Sequence, residues 1–271
     1  MRRQFLLASV GAIVLTGSAF AADLPTRQPP PVYVPPVPIF SWTGLYLGGQ
    51  VGYAWANDPA NVAAATPADE FGPASFDTAS FSSRPQGVIG GAHIGYNLQI
   101  NQWVVGLEGS VDGTSISTSI TKSIFAPDFS NILTVGTQAS IQGSIRARAG
   151  IVWDRALIYA TGGAAFTGIK NNYSVVDLDF EDFATPESIS KTRAGWTVGG
   201  GIEYAITNNW SVRAEYRYSD FGHYSDYPFV ALTVPAGISG WVQHHLTENQ
   251  AQVGFSYKFD SLAPAPVVAK Y

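Results

Sequence analysis

The stretch from Gln142 to Trp153 reads QGSIRARAGIVW, and its period limits what the chain can become. Even positions carry Gln142, Ser144, Arg146 and Arg148, while odd positions carry Ile145, Ala147, Ala149, Ile151 and Trp153. A strand sends successive side chains to opposite faces, so one face here is apolar and the other bears two guanidiniums. A soluble core strand does not bury two unpaired guanidiniums, because taking an ion out of water costs several kcal/mol. The apolar face wants hydrocarbon and the arginine face wants water or countercharge.

The same alternation recurs in segments of roughly ten residues. It runs over Thr43–Trp55, Val88–Leu98, Trp103–Gly113, Ser140–Trp153, Arg193–Ile206, Trp210–Phe221 and Glu248–Phe259. A further strand-like segment, Ala156–Gly168, alternates too poorly for its faces to be assigned. The connections alternate in length. Tight turns are expected at Gln99–Gln102, Asp154–Arg155 and Thr207–Asn209, and long loops near residues 56–87, 114–139, 169–192 and 222–243. An even strand count, with short turns on one side and long loops on the other, predicts an all-β fold. The expected form is an eight-stranded antiparallel up-and-down transmembrane β-barrel with short periplasmic turns and four long extracellular loops.

Composition agrees. Charged residues make up 13% of the chain, against about 25% in ordinary soluble domains, and 28 glycines and 17 prolines disfavour a helical enzyme. A mean hydropathy of +0.07 excludes a polytopic helical membrane protein. The N-terminus reads as a secretory leader: basic Arg2 and Arg3, an apolar run from Phe5 to Leu15, and the small-x-small site Ala19-Phe20-Ala21. The expected organisation is a signal peptide over 1–21, a proline-rich periplasmic segment over 22–40, an outer-membrane barrel over 41–259 and a tail over 260–271. The proline-rich run reads as an extended spacer rather than core. Without Arg2 and Arg3 the 15 basic residues become 13 against 20 acidic ones, which argues against nucleic acid as a partner. The absence of cysteine fits an exported chain whose fold needs no disulfide.

Tryptophans test the barrel independently. Trp42, Trp103, Trp153 and Trp210 sit at strand ends on the short-turn side, and Trp55 and Trp196 at the long-loop ends. Sorting to two levels is what two membrane interfaces demand, so these six form the expected girdle. The polar faces then point inward. Arg146, Arg148, Arg213, Arg217 and Lys258, with Glu108, Asp112, Glu203 and Glu215, form the expected lumen charge network. Eight strands enclose a bore that side chains just fill, so near-balanced charges read as a plug of charge-assisted hydrogen bonds. Glycine pairs such as Gly48-Gly49 and Gly90-Gly91 fit room made for large inward neighbours.

FSWTGLYLGGQVGYAW, GGAHIGYNLQINQWVVGLEGSVDG, RARAGIVWDRALIYATGGAAF and GWTVGGGIEYAITNNWSVRAEYRYSDFG resemble small outer-membrane β-barrel proteins of the immunogenic or porin-family type. These are relatives of the OmpA-like transmembrane domain of Gram-negative bacteria. The resemblance runs from about Phe40 to Phe259. It implies an eight-stranded barrel in the outer membrane, surface-exposed loops and no catalytic residues. The last strand resembles the insertion signal read by the barrel-assembly machinery, carried by Gln252, Gly254, Tyr257 and Phe259; the tail after Phe259 departs from the usual pattern, leaving open whether Phe259 or Tyr271 is read as the end.

No cofactor, resident metal or catalytic set is expected. His93 reads as a lumen hydrogen-bonding residue. His244 and His245 are adjacent and face opposite sides of a strand; with His223 they leave a surface metal or haem contact as an alternative. An acidic run, Asp177, Asp179, Glu181, Asp182 and Glu187, reads as a solvated loop, with cation gathering beside lipopolysaccharide as its alternative. The leading reading is a structural and surface-interaction barrel that contributes to envelope integrity; a small-solute porin is the first alternative, and a haem- or metal-contacting surface protein or a lipid-modifying barrel enzyme is the second. The expected partners are outer-membrane lipid, lipopolysaccharide and the assembly machinery; the extracellular ligand and self-association stay open. N-terminal sequencing of the mature protein is expected to start at Ala22; an intact Met1 or a start before residue 15 contradicts the leader.

Overall fold

The computed structural model describes residues 40–66, 75–126, 129–177, 187–227 and 239–259. The predicted cleavage site at Ala19 and Ala21, the proline-rich segment through residue 39 and the tail from residue 260 lie outside the described residues. Ten strands are present: β1 (Gly44–Thr66), β2 (Ser75–Ser83), β3 (Gln86–Ile100), β4 (Trp103–Thr114), β5 (Ser117–Ala126), β6 (Phe129–Trp153), β7 (Ala156–Asp177), β8 (Glu187–Ala205), β9 (Trp210–Asp226) and β10 (Ser239–Lys258). Eight of them close an antiparallel ring in the order β1-β3-β4-β6-β7-β8-β9-β10, with β10 returning to β1. In the two seams of β1, Gly48 stands opposite Ser256 on one side and His93 on the other. Closure leaves no unpaired edge, which is the condition for strands in hydrocarbon.

Two of the tight turns are two-residue connections. Ile100 pairs with Trp103 and Trp153 with Ala156. Each places a short polar residue in the left-handed region, Asn101 at φ 55° and Asp154 at φ 54°, where Asn and Asp are the side chains that tolerate it.

The described residues of the four expected long loops are in large part strand. β2 continues β3 in one register along β1, since Trp55 faces Gln86 below the Arg84-Pro85 break and Asp58 faces Ser83 above it. β5 extends the β4 side of β6 after a break at Ser115-Ile116, with the register shifted by one residue. β6, β7 and β10 run 25, 22 and 20 residues, about twice the 9–11 residues that a crossing needs. The barrel wall therefore rises well past the hydrocarbon. Two bulges mark where it does so. In β6 the pairing shifts between Ala139 and Ile141, and in β9 an extra residue at Phe221-Gly222 faces Leu246, with Gly222 at φ 70°. Each bulge reverses which parity faces inward.

Face assignments follow burial. Leu47, Val51, Ile94, Leu107, Ile145, Val198, Ile202 and Val253 point outward and exposed, while Gln50, His93, Glu108, Arg146, Thr197 and Gln252 are buried inside. β7 is now assigned: Leu157, Tyr159, Thr161, Ala165, Thr167 and Ile169 point in, and Ile158 and Phe166 point out. Its alternation is poor because its inward residues are themselves largely apolar.

Inward glycines stand opposite the largest polar side chains: Gly106 faces Arg148, Gly163 faces Arg146, Gly199 faces Arg217 and Gly254 faces Arg213. Gly48 shows the constraint most directly, because a Cβ there would lie 2.5 Å from His93 Nε2 and 2.1 Å from the Phe255 carbonyl oxygen. Gly162 faces outward, and a Cβ there meets nothing nearer than the Thr197 carbonyl oxygen at 3.8 Å. Gly48→Ala is expected to lose about 1–3 kcal/mol in urea unfolding, whereas Gly162→Ala stays within about 0.5 kcal/mol of the parent.

Candidate functional site

The inward residues of the eight crossings meet in the middle of the lumen. Glu108 on β4 is the hub. Its Oε2 accepts from Tyr46 Oη at 2.8 Å and Arg213 Nη1 at 2.6 Å, and its Oε1 accepts from Arg146 Nη2 at 2.5 Å. Arg146 is its direct cross-strand neighbour, so β-pairing alone delivers that contact. The second amino group of Arg146 crosses the bore to Glu215 on β9, whose other oxygen accepts from Tyr159 Oη at 2.9 Å. Arg148 donates to Glu203, lies with its guanidinium carbon 3.7 Å from the Tyr159 ring centroid, and shares Glu203 with the Ser211 hydroxyl. Both arginines and their carboxylate partners are almost completely buried.

A neutral layer continues the network. Arg213 Nη2 donates to Gln50 Oε1 at 2.9 Å, and the Gln50 amide donates to Asp112 at 2.6 Å. His93 Nδ1 lies 2.6 Å from the same Gln50 oxygen and its Nε2 lies 2.9 Å from Ser256 Oγ. Gln50 Oε1 is an acceptor in both contacts, so Nδ1 of His93 carries the proton and Nε2 accepts from Ser256. Arg217 is bound more loosely, with Ser144 at 3.2 Å and Asp112 at 3.8 Å. Above it, Glu248 accepts from the amides of Gln142 and Gln250.

Eight of the nine residues expected in the lumen network thus stand together across the bore. Lys258 does not join them. It faces the short-turn mouth, donates to the Ser41 carbonyl and places its ammonium 5.0 Å from the Phe40 ring centroid. Glu248 joins the network instead, so among the described residues it holds four arginines and five carboxylates. Glu248 opens its strand segment at the level of the upper tryptophans, where parity alone says little about depth. Tyr46 and Tyr159 were also not anticipated; both are aromatic residues that face inward and donate to carboxylates.

Of the six girdle tryptophans, Trp55, Trp103, Trp153, Trp196 and Trp210 face outward and exposed. Trp42 is a correction. It is 4% exposed and sits inside the short-turn mouth with Val104, Leu157, Tyr159 and Ala205, with Phe40 packed edge-on against it. Gln99 fixes the turn inward: its side-chain oxygen accepts from the Trp42 amide, and its own amide donates to Thr43 Oγ1. Hydrocarbon favours Trp at an interface, but burial in a narrow apolar mouth removes more of its surface from water. In the last strand, Gln252 and Gly254 face in, while Tyr257 and Phe259 pack edge-on with each other, and Tyr257 also against Trp210.

A second polar cluster closes the long-hairpin end. His244 Nδ1 lies 3.0 Å from Asp58, its Nε2 lies 3.2 Å from Tyr173 Oη, and its ring stacks on Tyr224 at 4.7 Å. Tyr173 and Asn171 donate to Asp226, which Lys191 also reaches at 2.7 Å. Burial pushes the Asp226 carboxyl up, but the Lys191, Asn171 and Tyr173 donors outweigh it and hold it below the usual carboxylate value. His245 and His223 face outward and stack at 4.1 Å. Among the described residues, no three His, Cys, Asp or Glu side chains stand around one point as ready metal ligands.

A closed ring with an apolar outside, aromatic rims and a charged, filled inside defines a small transmembrane barrel. Residues 40–259 match the family described as the outer membrane protein beta-barrel domain, and the chain belongs to that family. It is an outer-membrane protein. The chain is 32% identical over 259 residues to the 31 kDa outer-membrane immunogenic protein of Brucella melitensis, covering 95% of this chain and 100% of the relative. It is 31% identical over 258 residues to the 25 kDa outer-membrane immunogenic protein of Brucella abortus, covering 95% and 98%. It is also 30% identical over 227 residues to a 22 kDa outer membrane protein of Rhizobium leguminosarum bv. viciae, covering 83% and 82%. Among solved structures, OprG of Pseudomonas aeruginosa is similar at 15% identity with a TM-score of 0.44, covering 80% of this chain and 96% of that one.

Removing the hub carboxylate leaves Arg146 and Arg213 without their shared partner. Breaking a buried pair costs about 3–5 kcal/mol in dry interiors; with water admitted to a polar lumen, Glu108→Gln is expected to lose about 1–3 kcal/mol. Urea unfolding of the refolded barrel measures this, and an unchanged midpoint removes Glu108 from its central place.

Proposed function

We propose that this protein is a structural and surface-interaction barrel of the outer membrane, with a lumen plugged rather than open and extended hairpins as its outward-reaching part. The observation that carries this reading is the continuity of the lumen filling. From the short-turn mouth upward, the bore holds Phe40 and Trp42, then the arginine–glutamate network, then the amide layer around Glu248, then the cluster around Tyr173 and His244. Each layer has side chains from opposite walls in contact. No catalytic role is assigned to any residue. The names of the Brucella relatives, which call those proteins immunogenic, support a surface-exposed position for the hairpins.

On this reading the outward band meets outer-membrane lipid, with lipopolysaccharide around the upper tryptophans. Gln252, Gly254, Tyr257 and Phe259 present the last strand to the assembly machinery. The double variant Arg146→Ala/Arg148→Ala in a planar bilayer is expected to show new, small conductance events that the parent lacks, and to unfold at lower urea. A parent that conducts steadily replaces the plug with a small-solute porin. A double variant more stable than the parent means that the two arginines lie against lipid, where each would cost about 2–4 kcal/mol.

A further inference from the structure

We propose that His223 and His245 form a two-imidazole site for a divalent transition-metal ion on the outer wall of the barrel, just above the upper tryptophans, with Asp220 as a positioning residue. The two histidines are direct partners across the β9–β10 ladder. Their rings stack at 4.1 Å between centroids, 16° from parallel. Two nitrogens bound to one ion at about 2.0–2.1 Å each lie roughly 3–4 Å apart. The backbone therefore already holds both rings at a chelating separation, and only side-chain rotation is needed to aim the nitrogens at one ion.

The β9 bulge is what assembles this patch. Below it, even residues of β9 face outward, so Asp220 does; above it, odd residues do, so His223 does. In an unbroken strand, residues 220 and 223 would lie on opposite faces. The bulge puts a carboxylate and an imidazole on one face, beside His245. Its geometry is fixed locally: the Gly222 amide donates to Asp220 Oδ1 at 2.8 Å. Gly195 on β8 has no side chain to obstruct it, whereas a Cβ there would lie 2.0 Å from the Asp220 carbonyl oxygen.

Asp220 gives the pair its chemistry. Its Oδ1 lies 3.3 Å from His245 Nε2. A carboxylate that accepts a hydrogen bond from one ring N–H fixes the tautomer and leaves the other nitrogen as a lone-pair donor, the usual arrangement behind a metal-bound histidine. His245 Nδ1 is then the ligating atom. The height suits an exchangeable ion. Asp220 pairs with Trp196 of the upper aromatic level, so the histidines above it leave the hydrocarbon, and His223 is exposed to solvent. The remaining coordination positions fall to water or to phosphate groups of the surrounding lipid. The lumen histidines, His93 and His244, are almost fully buried and out of reach.

The test uses the mature full-length barrel refolded in detergent, titrated with Cu2+, the ion that heads the affinity order for nitrogen sites. The expected result is one copper per barrel with a two-nitrogen signature in electron paramagnetic resonance. His223→Gln and His245→Gln should each weaken binding at least tenfold and leave a one-nitrogen signature. Asp220→Asn should keep both nitrogens and weaken binding about tenfold. All three positions face outward, and retention of the heat-modifiable gel shift shows that each variant is folded. Parent binding no tighter than that of either histidine variant overturns the site. Stoichiometric copper that survives loss of both histidines places the metal elsewhere and equally overturns it. Asp220→Asn binding as tightly as the parent overturns the positioning role.

Discussion

Hydrocarbon outside the barrel leaves only one place for charge at mid-depth, and the pairing of Arg146 with Glu108 and Glu215 is where the chain puts it. The consequences spread along the walls. A bore of eight strands is narrow, so each long polar side chain needs an empty position across from it, and the glycines opposite Arg146, Arg148, Arg213 and Arg217 supply it. Paired guanidiniums also need more acceptors than carboxylates alone provide. Gln50 accepts from Arg213 and Ser144 from Arg217, and Tyr46 and Tyr159 are drawn in as donors to Glu108 and Glu215.

Stability from such a network is not automatic. A buried ion pair often does no better than a hydrophobic replacement of the same volume, because desolvation offsets the attraction. What distinguishes this lumen is that the replacement is unavailable over most of its length. An all-apolar interior would leave the two faces of each strand alike and the register undefined. At the short-turn mouth, where Trp42, Val104, Leu157 and Tyr159 meet, the chain does use an apolar filling, and there the register is set by the two-residue turns at Asn101 and Asp154.

Legibility in the sequence followed the same physics. The crossing segments were readable because lipid enforces one apolar face, and the parity of Arg146, Arg148, Arg213 and Glu215 followed from it. β7 was unreadable because Leu157, Tyr159 and Ala165 point inward, so both faces are apolar. Trp42 was misplaced because a tryptophan before a strand can turn to either side, and the Gln99 contacts that turn it inward are long-range. Lys258 has the inward parity, but parity carries no information about depth. The bulges left no trace in composition, and so neither did the phase reversals above them.

The long connections read as loops although their described residues are largely strand, and wetting of the wall explains why. Outside the hydrocarbon both faces of the wall can be wet, so nothing enforces alternation, and residues 56–66 and 117–126 are rich in Ala, Ser, Thr and Ile with little period. The β6 and β9 bulges fall at this change of regime: Ser140 stands just above the last lipid-facing isoleucine, and Gly222 just above the level of Trp196. A bulge increases local twist and re-aims the side chains beyond it. Placed at the membrane rim, the β9 bulge turns Asp226 inward to meet Tyr173, whose own strand keeps one parity throughout, without disturbing the parity that keeps the arginines in the lumen. The hairpins are thereby free to vary in sequence while the crossing part is held by lipid on one face and by countercharge on the other.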